Sequence, residues 1–442
     1  MKRDIGNVIR YSLYVIRSDS FKLMSIIILV LLFSTTLLQA QDDFSLFSLQ
    51  KKAVENYPLY RQKKLNDEAL GLKEKNISTA WMPQLMLNGQ ATWQSATTEI
   101  PISMPGLNIP NPDKDAYKVT LDISQTLYDG GFSKKQKELE RASLGADQQQ
   151  IEVELYKLKA QVNQLYFNVI LMQSQDSLLR VLRSDIETRL KKTEAGIKEG
   201  AGLESPADAL KAEILKIEQQ LIETEANRKA AIHMLSVMCG VQMNDNSKLS
   251  LPEVTATAAA DFSKRPEYKY FGLQKSKLDA SAGLLSARLM PRVSTFAQLG
   301  YGKPGLNMFA NEFEPYLYVG ARFSWNLWNW NQNKNDRNII SLQQRGIDIQ
   351  LENLEKNLKM NEQKDLEEIG KWQSMMQKDE EIIALKSKIA KRSETLMDNG
   401  VQTPADYLAD VNAETQAKLN LALHKVQLAM AKINYLNNTG GM

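Results

Sequence analysis

Cysteine is almost absent from this chain of 442 residues: Cys239 is the only one, which excludes a disulfide framework and a thiolate metal set. Histidine occurs twice, at His233 and His424, each alone in a helical stretch. No nucleophile elbow, phosphate loop or metal-ligand spacing accompanies them, so no catalytic, cofactor-binding or metal residue is expected and an enzyme is not indicated. An excess of one charge is also lacking, with 55 Lys+Arg against 52 Asp+Glu. The first 40 residues hold five Lys/Arg and two Asp/Glu, so the remainder balances at 50 against 50, and nucleic acid is not an expected partner. Long apolar runs are missing after residue 40, and a mean hydropathy of -0.37 excludes a multi-span helical membrane protein. None of the thirteen prolines falls between Asp113 and Ser205, or between Tyr316 and Thr403. Glycine is scarce in the same intervals, with Gly145 in the first helix body and Gly346 and Gly370 in the second.

One apolar stretch is present, Ser25 to Ala40, preceded by Lys2, Arg3, Arg10, Arg17 and Lys22. A basic segment, an apolar segment and a small residue before a polar one read as a secretory signal over residues 1–40, cleaved after Ala40; the competing reading is an uncleaved inner-membrane anchor. Cys239 does not follow that site, which removes the simplest route to a lipid anchor.

The rest of the chain repeats itself. Tyr57-Pro58 and Arg265-Pro266 each open a helical segment that closes 25 residues later, at Pro83 and Pro291. Ile123 to Tyr128 then corresponds to Phe323 to Trp328, and the turn from Gly200 to Asp208 to that from Gly400 to Asp406. Pro83 to Pro206 spans 123 residues and Pro291 to Pro404 spans 113; eight extra residues before Leu127 and two between Gly200 and Pro206 account for the ten. Two structural repeats are expected, residues 41–240 and 262–442, joined by a linker or equatorial segment at 241–261.

Each repeat carries two segments of strict alternation. Leu85, Leu87, Ala91 and Trp93 alternate with Met86, Asn88, Gln90 and Thr92, and Tyr117, Val119, Leu121 and Ile123 with Lys118, Thr120, Asp122 and Ser124. In the second repeat Val293, Ala297, Leu299 and Tyr301 form one stripe, and Leu317 through Leu327 alternates with Tyr316, Tyr318, Gly320, Arg322, Ser324 and Asn326. Period two with one polar face predicts strands, each about as long as the ten residues a transmembrane strand needs. A soluble sandwich is the bland reading. Four strands cannot close a barrel, since about eight is the practical minimum and lipid tolerates no open edge. If these strands span a membrane the chain must oligomerise. Asn88, Gln90, Thr92, Lys118, Thr120, Asp122 and Arg322 would then line the lumen.

The proline-free intervals predict two helices of nearly seventy residues, each about 100 Å long. Ile151, Leu155, Leu158, Val162, Leu165, Val169 and Met172 step by four and three, as do Leu210, Ile214, Ile217 and Leu221, and Val426, Ala429, Ile433 and Leu436. That is coiled-coil spacing. A solitary elongated coiled coil would explain the helices and leave the strands unexplained. Each long helix meets a shorter partner at a turn, Gly200 to Pro206 and Gly400 to Pro404, with glycine suited to the C-cap, proline to the first turn, and Ser205 and Thr403 as N-caps.

In this order and duplicated, these features resemble the outer membrane efflux protein family, the TolC-like channels, over essentially the whole mature chain; the Leu127-Tyr128-Asp129-Gly130-Gly131 passage into the long helix belongs to the same likeness. The resemblance implies a mainly α protein with a membrane β-barrel. Duplicated β-β-α hairpin halves supply four strands per chain, completing a twelve-stranded barrel in a homotrimer, and an α-helical coiled-coil tunnel continues it through the periplasm. It further implies an exit duct of a tripartite efflux or type I secretion system, seated in outer-membrane lipid and recruited through a periplasmic adaptor by an inner-membrane pump of RND or ABC type. No cofactor is implied. Members of the family close the tunnel tip with acidic rings and links between hairpins. On that pattern Asp406 begins the ring and Asp208 is the first-hairpin member of the lock. The usual lock arginine falls on Gln402, and the second ring aspartate on Ala409, with Asp410 displaced by one position, about 100° around the helix. The plainer reading of Asp208 and Asp406 is as first-turn acids that suit the helix dipole. The competing function is a periplasmic adaptor with long hairpins, which would not require a duplicated chain.

Overall fold

The computed structural model describes residues 44–98, 111–199, 204–254 and 260–441. The expected signal segment and Gly200 lie outside the described residues. Helix α1, Leu46–Asn56, is capped by the Ser45 hydroxyl, which accepts from the Ser48 amide. It stops because Tyr57 precedes a proline and is held extended, at φ -67° and ψ 132°, and Pro58 then opens α2, Pro58–Ser78. A short 3-10 turn, Thr79–Trp81, leads into β1, Gln84–Trp93, which pairs with β2, Asp115–Tyr128. Helix α3, Phe132–Lys198, and α4, Glu204–Cys239, complete the first half. The second half repeats the order: α5, Pro266–Arg288; β3, Arg292–Lys303; β4, Glu314–Ser324; α6, Gln332–Asp398; α7, Pro404–Asn438.

The strands form one antiparallel sheet in the order β1-β2-β3-β4, so the two halves meet at β2 and β3. Both long helices have 67 residues, which at about 1.5 Å per residue makes each about 100 Å long. Gly196 also lies within α3, so the helix runs on past a residue that costs it about 1 kcal/mol relative to alanine. The turns into α3 and α6 share an unusual backbone. Gly130 and Gly131 have φ of 68° and 81°, and their counterparts Trp330 and Asn331 have 50° and 62°. Glycine takes that region freely, whereas a bulky residue such as Trp330 there is strained by about 1–3 kcal/mol. In the first turn the Asp129 carboxylate accepts from the amides of Gly131 at 2.8 Å and Ser133 at 2.7 Å.

Two hydrophobic clusters hold the helices. One gathers Leu49 of α1, Val162, Tyr166 and Phe167 of α3, Ile232 and Leu235 of α4, and Ile433 of α7. The other, nearer the tips, joins Leu182 and Ile186 of α3 to Leu210 and Ile217 of α4 and to Tyr407 and Leu408 of α7. Of the seam positions expected on α3 and α4, Ile151, Leu155, Leu158, Val162, Val169, Leu210, Ile217 and Leu221 are buried and Leu165, Met172 and Ile214 are half-buried, so helix periodicity and packing largely agree.

Three details differ from expectation. The alternation that runs on to Leu327 ends as strand at Ser324, because β4 is an edge; its counterpart β2 continues to Tyr128 against Val293 of β3. Helix α4 begins at Glu204, which puts Ser205 inside the first turn rather than at the cap. Between the halves, Met243 and Leu249 are buried in the first cluster, and the Asp261 amide donates to the Thr439 carbonyl at 3.2 Å. The described parts of this segment, 241–254 and 260–261, are thus packed onto the helices.

Candidate functional site

Alternation places the sheet's side chains on two unlike faces. Leu85, Leu87, Trp93, Tyr117, Val119, Leu299, Tyr301, Leu317, Val319 and Phe323 share one face and all are exposed, Leu87 at 73%. Such a continuous apolar surface is what lipid contact requires, and water would oppose it. The opposite face carries the seven expected lumen residues. Asn88, Thr120 and Gln298 all donate to the Asp122 carboxylate, Gln298 at 2.6 Å and Thr120 at 3.3 Å. Three strands are thereby tied together across their polar side. Gln90, Thr92 and Lys118 line a 390 Å³ hollow together with Gln298, Tyr316 and Tyr318. Arg322 lies with its guanidinium carbon 5.4 Å from the Phe296 ring centre.

At the far end, α6 closes in a Schellman arrangement: the Gly400 amide donates to the Met397 carbonyl at 3.0 Å and the Val401 amide to that of Leu396 at 2.9 Å, with Gly400 at φ 72°. Pro404 then opens α7, where the Thr403 hydroxyl accepts from the Asp406 amide at 3.2 Å and donates to the Asp406 carboxylate at 2.6 Å. Asp406 is exposed in the first turn of α7, where its carboxylate holds the hydroxyl of the capping Thr403. Gln402, standing where the resemblance calls for arginine, donates to Asp410 at 3.4 Å. Asp208 is exposed near the start of α4, with Pro206 in its first turn. Among the described residues Asp208 makes no ion pair with the second hairpin.

The two hairpins are joined instead through Arg189 of α3, which sequence reasoning missed. Its guanidinium, almost fully buried, pairs with Glu394 and, at 2.5 Å, with Asp398 of α6. It also lies over the Tyr407 ring of α7, 4.9 Å from the ring centre. Burial alone would lower its pKa, but Tyr407 and Asp398 outweigh burial and hold it more firmly charged than usual. A second tie runs from Asn412 of α7 to Glu213 of α4 at 3.0 Å. One signal in the sequence marks Arg189: it follows Leu179, Leu182 and Ile186 at steps of three, four and three, so a cation occupies a seam position that otherwise takes leucine or isoleucine.

Among the described residues no helix is long and apolar enough to cross a membrane, and no group of His, Cys, Asp or Glu could hold a metal ion. No curated protein matches the chain by sequence. Solved structures match along nearly its whole length. It is similar to the Campylobacter jejuni outer membrane channel CmeC, at 14% identity over 90% of this chain and 86% of that one, with a TM-score of 0.62. The Vibrio cholerae outer membrane protein VceC gives 12%, 89%, 96% and 0.63, and the Neisseria gonorrhoeae outer membrane channel MtrE gives 16%, 89%, 88% and 0.60. Identities this low establish a shared fold. Residues 52–241 match the family described as outer membrane efflux protein. With that match in its first half and the channel fold throughout, the chain is similar to outer membrane efflux proteins, TolC-like outer-membrane channels with a helical periplasmic part.

Proposed function

We infer that three copies of this chain assemble into one channel, the exit duct of a tripartite efflux or type I secretion system. The single observation that carries this is the sheet: among the described residues, four strands, one apolar exposed face, and free edges at β1 and β4. Backbone groups on an open edge cost several kcal/mol each in hydrocarbon, on the order of the price of any unpaired buried amide, so the edges must pair with each other across copies. Three chains give twelve strands, enough for an aqueous lumen lined by the face around Asp122. The helices then continue as a periplasmic tube with the Gly400 turn at its tip.

Transport through such a duct is passive, and the driving energy comes from an inner-membrane pump of RND or ABC type joined through a periplasmic adaptor. An adaptor role for the chain itself is not favoured, because nothing in that role calls for a sheet with a lipid-compatible face. Residues 1–40 direct export and are removed, and the chain around the buried Met243 and Leu249 links the two repeats. At the tip, Arg189 latches the first hairpin to the second. Three copies of Asp406 about the axis form an acidic constriction that attracts cations, with Gln402 and Asp410 fixing the turn behind it.

Native mass spectrometry of the protein extracted from purified outer membranes tests the assembly and the processing together. A trimer of chains beginning at Gln41 is expected. A monomer, or a chain that retains residues 1–40, contradicts the barrel argument.

A further inference from the structure

The polar face of the sheet is interrupted by one aromatic strip. On β3 and β4 the register pairs Gly300 with Tyr316, Gln298 with Tyr318, and Phe296 with Gly320. A Cβ at Gly300 would fall 2.1 Å from the Tyr316 ring, and one at Gly320 would fall 2.7 Å from that of Phe296. The two glycines therefore exist as floors on which a ring from the neighbouring strand lies flat, first one way and then the other. Tyr318 stands between them, 5.5 Å from Phe296 centre to centre and more than half exposed. Below it Arg322 covers the Phe296 ring. Along β4 the strip runs from position 316 to 322, about 20 Å at 3.4 Å per residue. It is the only aromatic group on that face among the described strands; β1 and β2 offer Asn88, Gln90, Thr92, Lys118 and Thr120 there.

Resting on the reading of this face as the lumen, we propose that Tyr316, Tyr318, Phe296 and Arg322 form a contact strip for flat aromatic anions passing through the barrel. Tyr316 against Gly300 and the more exposed Tyr318 present ring surface to the bore, with Phe296 lying under Arg322; ring surface stacks on planar solutes and offers little to an aliphatic chain of equal charge. The charge on this face also selects. Arg322 and Lys118 are cationic; Asp122 keeps its negative charge, but Asn88, Gln298 and Thr120 hold its carboxylate in place, and it is Arg322 that lies against the rings. A carboxylate on the solute meets Arg322 at the periplasmic end of the strip, where cargo arrives, and the rings then hand it toward the Tyr316 end. Three copies would set three such strips around one lumen.

Single-channel recording in planar bilayers tests this with 2-naphthoate against cyclohexanecarboxylate as the blocking anion. Naphthoate is expected to interrupt the current at concentrations about five-fold lower than its aliphatic counterpart. Tyr318→Ser should erase that difference while leaving the open-channel conductance of the trimer in place. Arg322→Gln, which spares the rings, should weaken block by both anions alike. Equal block by the two anions in the unaltered protein, or a preference that survives Tyr318→Ser, overturns the aromatic strip alone. A protein that opens no channel at all fails the underlying reading and takes the strip with it.

Discussion

The long helices α3 and α6 have the same length and the same place in their repeats, yet they are buried very differently. α3 buries sixteen residues and α6 buries six. α3 lies on α5 of the other half: Gln149 donates to the Pro266 carbonyl at 3.0 Å, and Gly145 faces the Leu273 side chain. The equivalent surface of α6 carries Ile339, Leu342 and Ile349, all exposed, and the equivalent of α5 is α2, which exposes Leu65 and Leu72. The sheet tells the same story, with β2 paired to β3 inside the chain while β4 and β1 are edges. One interface is thus made within the chain, and its copy is left open at the two ends. In the proposed trimer other copies of the chain complete it, and a ring of alternating equivalent interfaces is the closed solution.

That comparison breaks most decisively at Ile349, which corresponds to Gln149 and so faces Pro58 of a second copy. Ile349→Glu is expected to abolish the trimer in native mass spectrometry and leave folded monomer, because a carboxylate would be buried there without a partner. An intact trimer from this variant would remove α6 from the interface.

Register sharpens the same point. Moving β2 by 200 residues and β3 by 208 carries the internal pair Ser124 and Phe296 onto Ser324 and Asn88 of neighbouring copies. The paired change Ser324→Cys with Asn88→Cys should oxidise to a covalent trimer on denaturing gels, whereas Ser324→Cys with Thr92→Cys should not. The native Cys239 will not interfere, since it is buried and desolvation pushes its thiol up to about 11. The same register lets Trp325 to Trp328 pair with the neighbour's β1, so the alternation that ends at Ser324 in one chain would extend toward Leu327 in the ring.

The tip reverses the asymmetry, because there the halves are held by side chains that no repeat landmark contains. Arg189→Ala should loosen the hairpins and raise single-channel conductance several-fold, on the order of what loss of a buried, hydrogen-bonded charge pair can shift in a two-state equilibrium. Unchanged conductance would mean that Arg189 only packs the coiled coil. Glu394→Gln with Asp398→Asn should act in the same direction and less strongly, because both carboxylates are half exposed.

The fold was legible because its signals are local or periodic. Missing prolines announced helices of 67 residues, and alternation from Leu85 to Trp93 announced a strand that matches within one residue. The latch was not legible, since Arg189 finds Glu394 and Asp398 about two hundred positions away, and a cation at a seam position names no partner by itself. The aromatic strip was hidden for a similar reason. Phe296 and Tyr316 read as imperfections in a polar stripe until the register sets each above a glycine.

The smallest effect separates two roles of one residue. Asp406 holds the hydroxyl of Thr403, the residue that caps α7, and it is the acid proposed for the constriction. Thr403→Ala removes the cap and keeps the carboxylate, and should cost about 1 kcal/mol of stability with cation block of the channel unchanged. Asp406→Ala should cost a similar amount and also relieve that block, because three like charges about one axis leave together. If both variants lower the melting temperature alike and neither alters block, Asp406 only supports the helix cap and the constriction belongs to other residues of the tip.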